Sequence, residues 1–458
     1  MLAADQAQVL RPDLLSQLSN ELLSIIVSFC RQEDLPSLAR TCRRLHSHAF
    51  PALYRTITIN GETRASVFTI LSYKYDLRRM LKTTRSLHFS SRWYRASRNT
   101  RRGWGMNTIE EMTRLQHLFI EWDYMEEDEG AEHHIYLPST LAETLRTCTI
   151  NFKCFTNWPL DEAACLFEHP MLRKLEIHWA EAKGTEGSFL RRTGPGHHST
   201  ALEELSLIDC QFHASDLFRL LSFPRALQYL DIWSDLNDDE VWLEIQESCE
   251  PYFAAIRDTC GETLKGLRLD LWSQGWWVVP APGLHELLHL QYLEIKPDHI
   301  EAPKEWEGHF PLPQIDCPID KLLPPNTEVL KIGPYASAYP VLLDILERKA
   351  ELVPSLRKII LSVYYRDESL AAQLTTAVEK ETDTRNYSTR TLQDQTRMIL
   401  EEKATFKPST NKATFEFFDA ICKHNNIELV VLYEDPTRKE IFKEGAGPAL
   451  WEIADQVI

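Results

Sequence analysis

The chain has 458 residues, of which 43% are hydrophobic, and it carries a formal net charge of −17 at pH 7. Residues 1–60 are nearly neutral, so the acidic excess lies in the rest of the chain, which would repel a phosphate backbone and disfavours nucleic acid as a partner. No apolar run approaches the roughly 18 residues of a membrane span, and ten cysteines without a CxxC pair favour free thiols in a reducing compartment, the cytoplasm or the nucleus.

The first predicted elements are three short helices within residues 12–52. Ser19 or Asn20 can cap the first helix, Asp34 can cap the second, and the third ends before Pro51. One face of the first helix carries four large apolar residues, namely Leu22, Ile25, Ile26 and Phe29. A second face adds Leu23 and Val27, and the second helix is expected to turn inward Leu35, Leu38, Ala39 and Cys42. Because some forty residues cannot bury this much apolar surface, we expect a partner protein to cover the first helix, with capping of the following array as the alternative.

From residue 54 to about residue 435 one pattern recurs: an apolar residue, two others, an apolar residue, one other and an apolar residue, as in LQYLDI and LQYLEI. Its central positions lie 25 to 37 residues apart, at 57, 87, 118, 148, 175, 205, 230, 267, 293, 330 and 359, with a weaker copy at Val430. Each copy predicts a strand, and helical stretches such as DLFRLLSF between copies predict right-handed crossovers and parallel strands. The pattern resembles leucine-rich repeats, which implies an α/β fold with an irregular leucine-rich-repeat solenoid and a parallel sheet.

The residues that flank the apolar positions fall on the opposite face of the predicted sheet, because side chains alternate along a strand. We expect this face to be exposed, with the residues Phe119, Glu176, Ser206, Tyr229, Asp231, Trp233, Arg268, Tyr292, Glu294 and Lys331. Exposed Trp, Tyr and Arg are frequent binding anchors, so the candidates for holding a protein substrate are Tyr229, Trp233, Arg268 and Tyr292. Burial of these side chains under insertions between repeats is the alternative. Trp122 and Trp179 have the inward parity and are expected in the core.

The segment HELLH, residues 285–289, matches the HExxH motif, in which two histidines on one face of a helix bind Zn²⁺ and the glutamate acts as general base. The repeat itself accounts for the leucines of this segment. The longer form HExxHxxGxxH fails, because Tyr292 stands at the glycine and Ile295 at the third histidine. A zinc peptidase with His285, Glu286 and His289 is therefore a remote alternative. GxSxG, GxxxxGK(S/T) and GxGxxG are also missing from the sequence, so no catalytic residue, metal or cofactor is predicted.

The first sixty residues resemble the F-box proteins, whose pattern is Leu-Pro-x-Glu-(Leu/Ile)-Leu, then alternating aliphatics, an Asp-Leu pair and a Cys-Arg-Arg-aromatic ending. The matching residues are Leu18, Glu21, Leu22, Leu23, Ile25, Ile26, Phe29, Asp34, Leu35, Leu38, Cys42, Arg43 and Arg44. The chain departs at Ser19, where proline is expected, and at Leu45, where tryptophan is frequent. A position directly ahead of leucine-rich repeats is a recurring arrangement in this family, and the LYRTITI that follows looks like that of filamentous-fungal members.

This resemblance implies a non-enzymatic adaptor of an SCF-type cullin-RING ubiquitin ligase. In that family the F-box binds a Skp-type adaptor and through it a cullin, and the repeats hold a protein substrate. The adaptor-contacting positions correspond here to Leu18, Glu21, Leu22, Leu23, Ile25, Ile26 and Phe29. The expected division is an F-box-like domain at 12–52, a leucine-rich-repeat domain at 53–440 and a C-terminal tail at 441–458. A repeat scaffold whose N-terminal helices only cap the array is the alternative.

Overall fold

The structure, a computed structural model, covers most of the repeated segments and the connections next to them. It describes residues 17–59, 80–90, 109–122, 139–157, 166–182, 198–233, 250–269, 283–295, 323–332, 342, 345–364 and 412–434. The chain divides into two compact units, the first formed by Met1–Met125 with Tyr136–Asn151 and the second by Glu126–Ile135 with Phe152–Ile458. The Arg-rich segment 92–102, the insertion 366–404 and the C-terminal tail lie outside the described residues, and the predicted three-part division stays a prediction.

Three helices open the first unit: α1 (Asn20–Phe29), α2 (Leu35–Thr41) and α3 (Arg43–Leu53). Ser19 caps α1, since its hydroxyl accepts a hydrogen bond from Leu22 N over 3.3 Å. Asp34 precedes α2 but makes no side-chain cap bond. Cys42 is exposed and not inward-facing as expected, because its sulfur instead accepts from Leu45 N and caps α3. The third helix continues through Pro51, where the missing amide donor removes one bond near the helix end.

Parallel strands form the sheet of each unit. In the first unit β1 (Thr56–Ile59), β2 (Ser86–Ser90) and β3 (His117–Trp122) pair in chain order, and β4 (Thr147–Asn157) begins there and ends in the second unit. The strands that follow are β5 (Lys174–Ala182), β6 (Glu204–Ile208), β7 (Gln211–Phe212), β8 (Tyr229–Trp233), β9 (Gly266–Leu269), β10 (Tyr292–Ile295), β11 (Val329–Ile332), β12 (Lys358–Tyr364) and β13 (Glu428–Glu434). They lie in chain order, except that the short β7 pairs with the end of β5. The predicted α/β class with a parallel sheet is confirmed.

The register of these strands follows the repeat. In the first unit Ile57, Leu87 and Leu118 lie side by side. In the second unit the row of central residues is Leu175, Leu205, Leu230, Leu267, Leu293, Leu330 and Ile359. The predicted central position of the last copy, Val430, is wrong by one residue, because Ile359 pairs with Leu429 and Val430 pairs with Ile360. A slip of one residue moves a side chain to the other face of the sheet, so Val430 packs with Tyr292, Val329 and Ile360.

In the second unit helices alternate with strands along the chain, as the repeat predicts. They are α4 (Ala214–Ser222), α5 (Glu250–Cys260), α6 (Lys349–Leu352) and α7 (Lys412–His424). The central leucines of the strands are fully buried and form the core. Trp179 is only partly buried, contrary to expectation, because its left-handed backbone (φ 61°) interrupts the alternation and leaves both His178 and Ala180 buried beside it. The side chain of Trp122 lies outside the described residues.

Two further findings bear on the expectations from composition. The cysteines whose side chains the structure describes, namely Cys30, Cys42, Cys148, Cys210, Cys260 and Cys422, carry free thiols. Among the helices that the structure describes, none combines the length and the apolarity needed to cross a bilayer.

Candidate functional site

The first helix presents an apolar face to solvent. The exposed fractions are 48% for Leu22, 51% for Ile25, 41% for Ile26 and 84% for Phe29. Leu23 and Val27, which lie about a quarter-turn away, are buried, and Val27 packs in a cluster with Leu35 and Ala39 of α2 and Ala49 of α3. Leu23 therefore does not belong to the exposed surface, which corrects its place among the predicted adaptor contacts. Leu18 is partly buried and Glu21 is exposed.

Polar contacts hold this helix in place on α3. Ser24 Oγ lies 2.9 Å from His48 Nδ1, and the Arg44 guanidinium donates to Asn20 Oδ1 and to the carbonyl of Leu18. Hydrogen bonds from its own backbone and from the Ser19 hydroxyl hold the pKa of Glu21 below its ordinary value. Because these contacts leave the apolar side chains free, α1 is fixed on its buried side and open on the other.

A second notable feature is a row of charged residues that crosses the sheet of the second unit. One register position on successive strands carries Glu176, Ser206, Asp231, Arg268, Glu294 and Lys331. Arg268 lies 3.6 Å from Asp231 Oδ2 and 3.4 Å from Glu294 Oε1, and Lys331 Nζ lies 2.8 Å from the same Glu294 oxygen. We call these four residues, Asp231, Arg268, Glu294 and Lys331, the charged row. Its signs alternate from strand to strand, so each charge has an opposite neighbour.

The expected exposure of this face is wrong. Asp231, Glu294 and Lys331 are all buried, and Tyr292, only 1% exposed, donates a hydrogen bond from its hydroxyl to Glu294 Oε2 over 2.9 Å. Trp233 is buried as well, with the Arg268 guanidinium 3.9 Å from its ring centroid, a cation–π contact. Trp233 and Tyr292 therefore do not form an exposed aromatic platform, and of the four predicted substrate contacts Tyr229 and Arg268 remain partly accessible.

Gly266 explains how Tyr229 lies on this face. A Cβ added at Gly266 would be 3.1 Å from Tyr229 Cε1 and only 2.6 Å from Cδ1, and the shorter distance is closer than side-chain carbons approach one another. The absence of a side chain at this position of β9 lets the tyrosine ring of β8 lie across the neighbouring strand. The pattern of the repeats gives no hint of this packing, because the glycine stands at an outward position.

Burial controls the ionisation of the charged row. It raises the pKa of Asp231 to about 6, against a lowering effect of Arg268 and with further raising effects of Glu294 and Glu176. Burial would also raise the pKa of Glu294, but the cations Arg268 and Lys331 hold it below its ordinary value. In the described part of the chain Asp231 Oδ1 accepts no hydrogen bond. At neutral pH, where its carboxyl group is ionised, Asp231 is therefore the residue of the charged row that destabilises the fold.

We expect Asp231→Asn to gain stability relative to the parent chain as the pH rises. The folded pKa of about 6 lies above an unfolded value of about 3.9, so the contribution of Asp231 is full below pH 4 and is lost as the pH rises through 6. The difference in free energy of unfolding should shift by roughly 2 kcal/mol in favour of the variant between pH 4.5 and 7.5. Urea unfolding at both pH values measures it, with Asp258→Asn, half-exposed, as the control. An unchanged difference would contradict this.

The HELLH segment does not form the helix that a zinc motif requires. Leu284–Glu286 is a short 3₁₀ helix, and the chain leaves helical geometry at Leu287 before His289 is reached. The two histidines therefore do not share one face of an α-helix, and Glu286 lies 3.5 Å from Arg257 as an ion-pair partner. Among the residues that the structure describes, no group of three or more His, Cys, Asp or Glu side chains is arranged to hold a metal.

Comparison with known proteins adds no family to these observations. The sequence matched none of the family models against which it was scanned, and a search of curated proteins found no significant match. What the protein does must therefore be argued from its own surfaces, of which the exposed face of α1 is the most distinctive.

Proposed function

We propose that this protein is a substrate-recognition adaptor of an SCF-type cullin-RING ubiquitin ligase. In this proposal α1 binds a Skp-type adaptor and through it a cullin, and the repeats hold a protein substrate. The exposed apolar face formed by Leu22, Ile25, Ile26 and Phe29 carries the argument, because it occurs on the helix that resembles an F-box. The finer fold, an F-box joined to an irregular leucine-rich-repeat solenoid, belongs to the same proposal, as do a non-catalytic role and a location in the cytoplasm or nucleus.

Energetics favour a partner for this face. Four large apolar side chains are about half or more exposed, and burying the exposed part of each contributes roughly 1 kcal/mol at about 25 cal/mol per Å². An amphipathic helix with anchors at i, i+3, i+4 and i+7 is a common way to fill a groove on another protein. Exposed arginines on the two neighbouring helices, Arg40 on α2 and Arg43 on α3, would speed association with an acidic partner surface.

The test is a binding measurement with a purified Skp-type adaptor. Leu22→Asp combined with Ile26→Asp should weaken binding by about a hundredfold or more, because two charges would enter the apolar centre of the contact. Isothermal titration calorimetry or surface plasmon resonance gives the Kd. Asn20→Asp with Ser28→Asp is the matched control, since it adds the same two charges to exposed positions of α1 outside the apolar face.

The outcome separates the proposal from its alternatives. Binding of the adaptor with unaltered Kd by the Leu22→Asp, Ile26→Asp variant, or no binding by the parent chain, would leave the repeat scaffold as the better account. A bound zinc ion lost on His289→Ala would instead support a peptidase.

A further inference from the structure

Four exposed basic side chains lie where the strands of the first unit begin. Arg55 and Arg85 directly precede β1 and β2 and stand opposite each other in the register, with Arg85 N donating to the Arg55 carbonyl over 2.8 Å. Lys82 lies in the turn before Arg85, and Arg114 lies in the turn before β3. In the described part of the chain none of the four forms an ion pair. We call these four residues the strand-start surface.

The bases at the same positions of the second unit have partners on the neighbouring strand. Arg173 and Arg357 form ion pairs with Glu203 (3.3 Å) and Glu328 (2.5 Å), and Lys265 donates a hydrogen bond to Gln228 (3.0 Å). In the first unit the corresponding row reads Arg55, Arg85, Gln116 and Arg146, without an acid. Adjacent like charges on paired strands repel, so an anionic partner would relieve a repulsion that the fold leaves in place. Glu110 and Glu111 lie shortly before Arg114, and Glu143 lies in the turn before β4, but in the described part of the chain they pair with none of the strand-start surface.

The net charge of the chain is also unevenly distributed, with the positive excess in the N-terminal part of the sequence. Residues 1–108 contain 17 Lys and Arg against 7 Asp and Glu, a balance of +10, so the remaining chain carries −27. The net charge of −17 disfavours a long polyanion such as nucleic acid. A short acidic peptide segment carries fewer charges and is repelled less.

We propose that the strand-start surface binds an acidic segment of a partner protein. Arginine forks donate paired hydrogen bonds to carboxylates, and Arg55 and Arg85 stand one strand spacing apart, about 4.8 Å. The positive charges spread over three adjacent strands, which suits several carboxylates along an extended chain. This proposal is independent of the adaptor contact, because it uses none of the apolar side chains of α1.

The test uses a fluorescein-labelled peptide of alternating glutamate and glycine, with binding to the full chain followed by fluorescence anisotropy. Arg55→Glu with Arg85→Glu should weaken binding about tenfold or more, and added NaCl should weaken binding to the parent chain. The control is Arg225→Glu with Lys423→Glu, which reverses two exposed bases of the second unit and should leave the Kd within about twofold. Circular dichroism checks that all variants fold.

Three results would overturn the proposal. They are an unchanged Kd for the Arg55→Glu, Arg85→Glu variant, an equal loss in the control, and tighter binding of single-stranded DNA than of the peptide with the same loss in the variant. The Leu22→Asp, Ile26→Asp variant should bind the peptide like the parent chain, so this proposal and the adaptor proposal fail separately.

Discussion

Replacing Arg268 by methionine should lower the free energy of unfolding by about 3–5 kcal/mol. The guanidinium lies between the carboxylates of Asp231 and Glu294, both buried, and removing it would leave Lys331 as the one cation of the charged row beside two carboxylates. Removing one partner of a buried ion pair is costly because the remaining charge can neither reach water nor find a substitute. Methionine keeps most of the side-chain volume, so the loss measures charge more than packing. Urea unfolding at neutral pH provides the value.

Neutralising the carboxylates at the same time tests this explanation. The triple variant Arg268→Met, Asp231→Asn, Glu294→Gln removes the two carboxylates that the single variant leaves without Arg268, and it should recover at least half of the lost stability. Equal loss in the single and triple variants would show instead that the arginine acts through packing on Trp233. The matched control is Arg173→Met, whose partner Glu203 is more exposed and whose loss should stay below about 1 kcal/mol.

The charged row also shows which features of the fold could be read from the sequence. The regular spacing of the apolar positions predicts the strands and their register, because each central leucine must face the same core. The fifth position of consecutive copies alternates in sign, as Asp231, Arg268, Glu294 and Lys331 do, which was a readable signal that these residues pair. Parity assigns Tyr292 to the outward face but cannot show that it is buried there, where it packs with Val329, Ile360 and Val430 of the following strands.

The local errors have local causes. Leu429 and Val430 lie in a run of four apolar residues without alternation, so the sequence does not define which of them faces the core. The left-handed backbone of Trp179 has no sequence signal, since neither glycine nor asparagine stands there. The face of α1 was predictable, because apolar residues at helical spacing define it. The burial of Leu23 was missed, because Leu23 was assigned to the adaptor contact from its match to the family pattern, and such a match does not tell whether a side chain is buried.

Leu23→Asp should unfold the helices of the first unit, whereas Leu22→Asp should leave them folded. Leu23 is 1% exposed, so an aspartate there would be buried without a partner and should cost about 4 kcal/mol or more. Leu22, the preceding residue, is 48% exposed, and aspartate there should change local stability by about 0.5 kcal/mol or less. Hydrogen exchange of the backbone amides of α1 and α3, followed by mass spectrometry, measures both effects in the segment concerned.

Comparing Leu22→Asp with Leu23→Asp isolates the effect of burial, because the same substitution is made at two consecutive residues of one helix. Propensity, helix dipole and added charge are nearly equal at the two positions, so a difference in exchange protection must come from burial. Ala49, fully buried on α3 near Val27, offers a second check, since Ala49→Asp should resemble Leu23→Asp. Equal protection in the Leu22 and Leu23 variants would mean that α1 does not hold its two faces apart, and the exposed face could then no longer support a docking role.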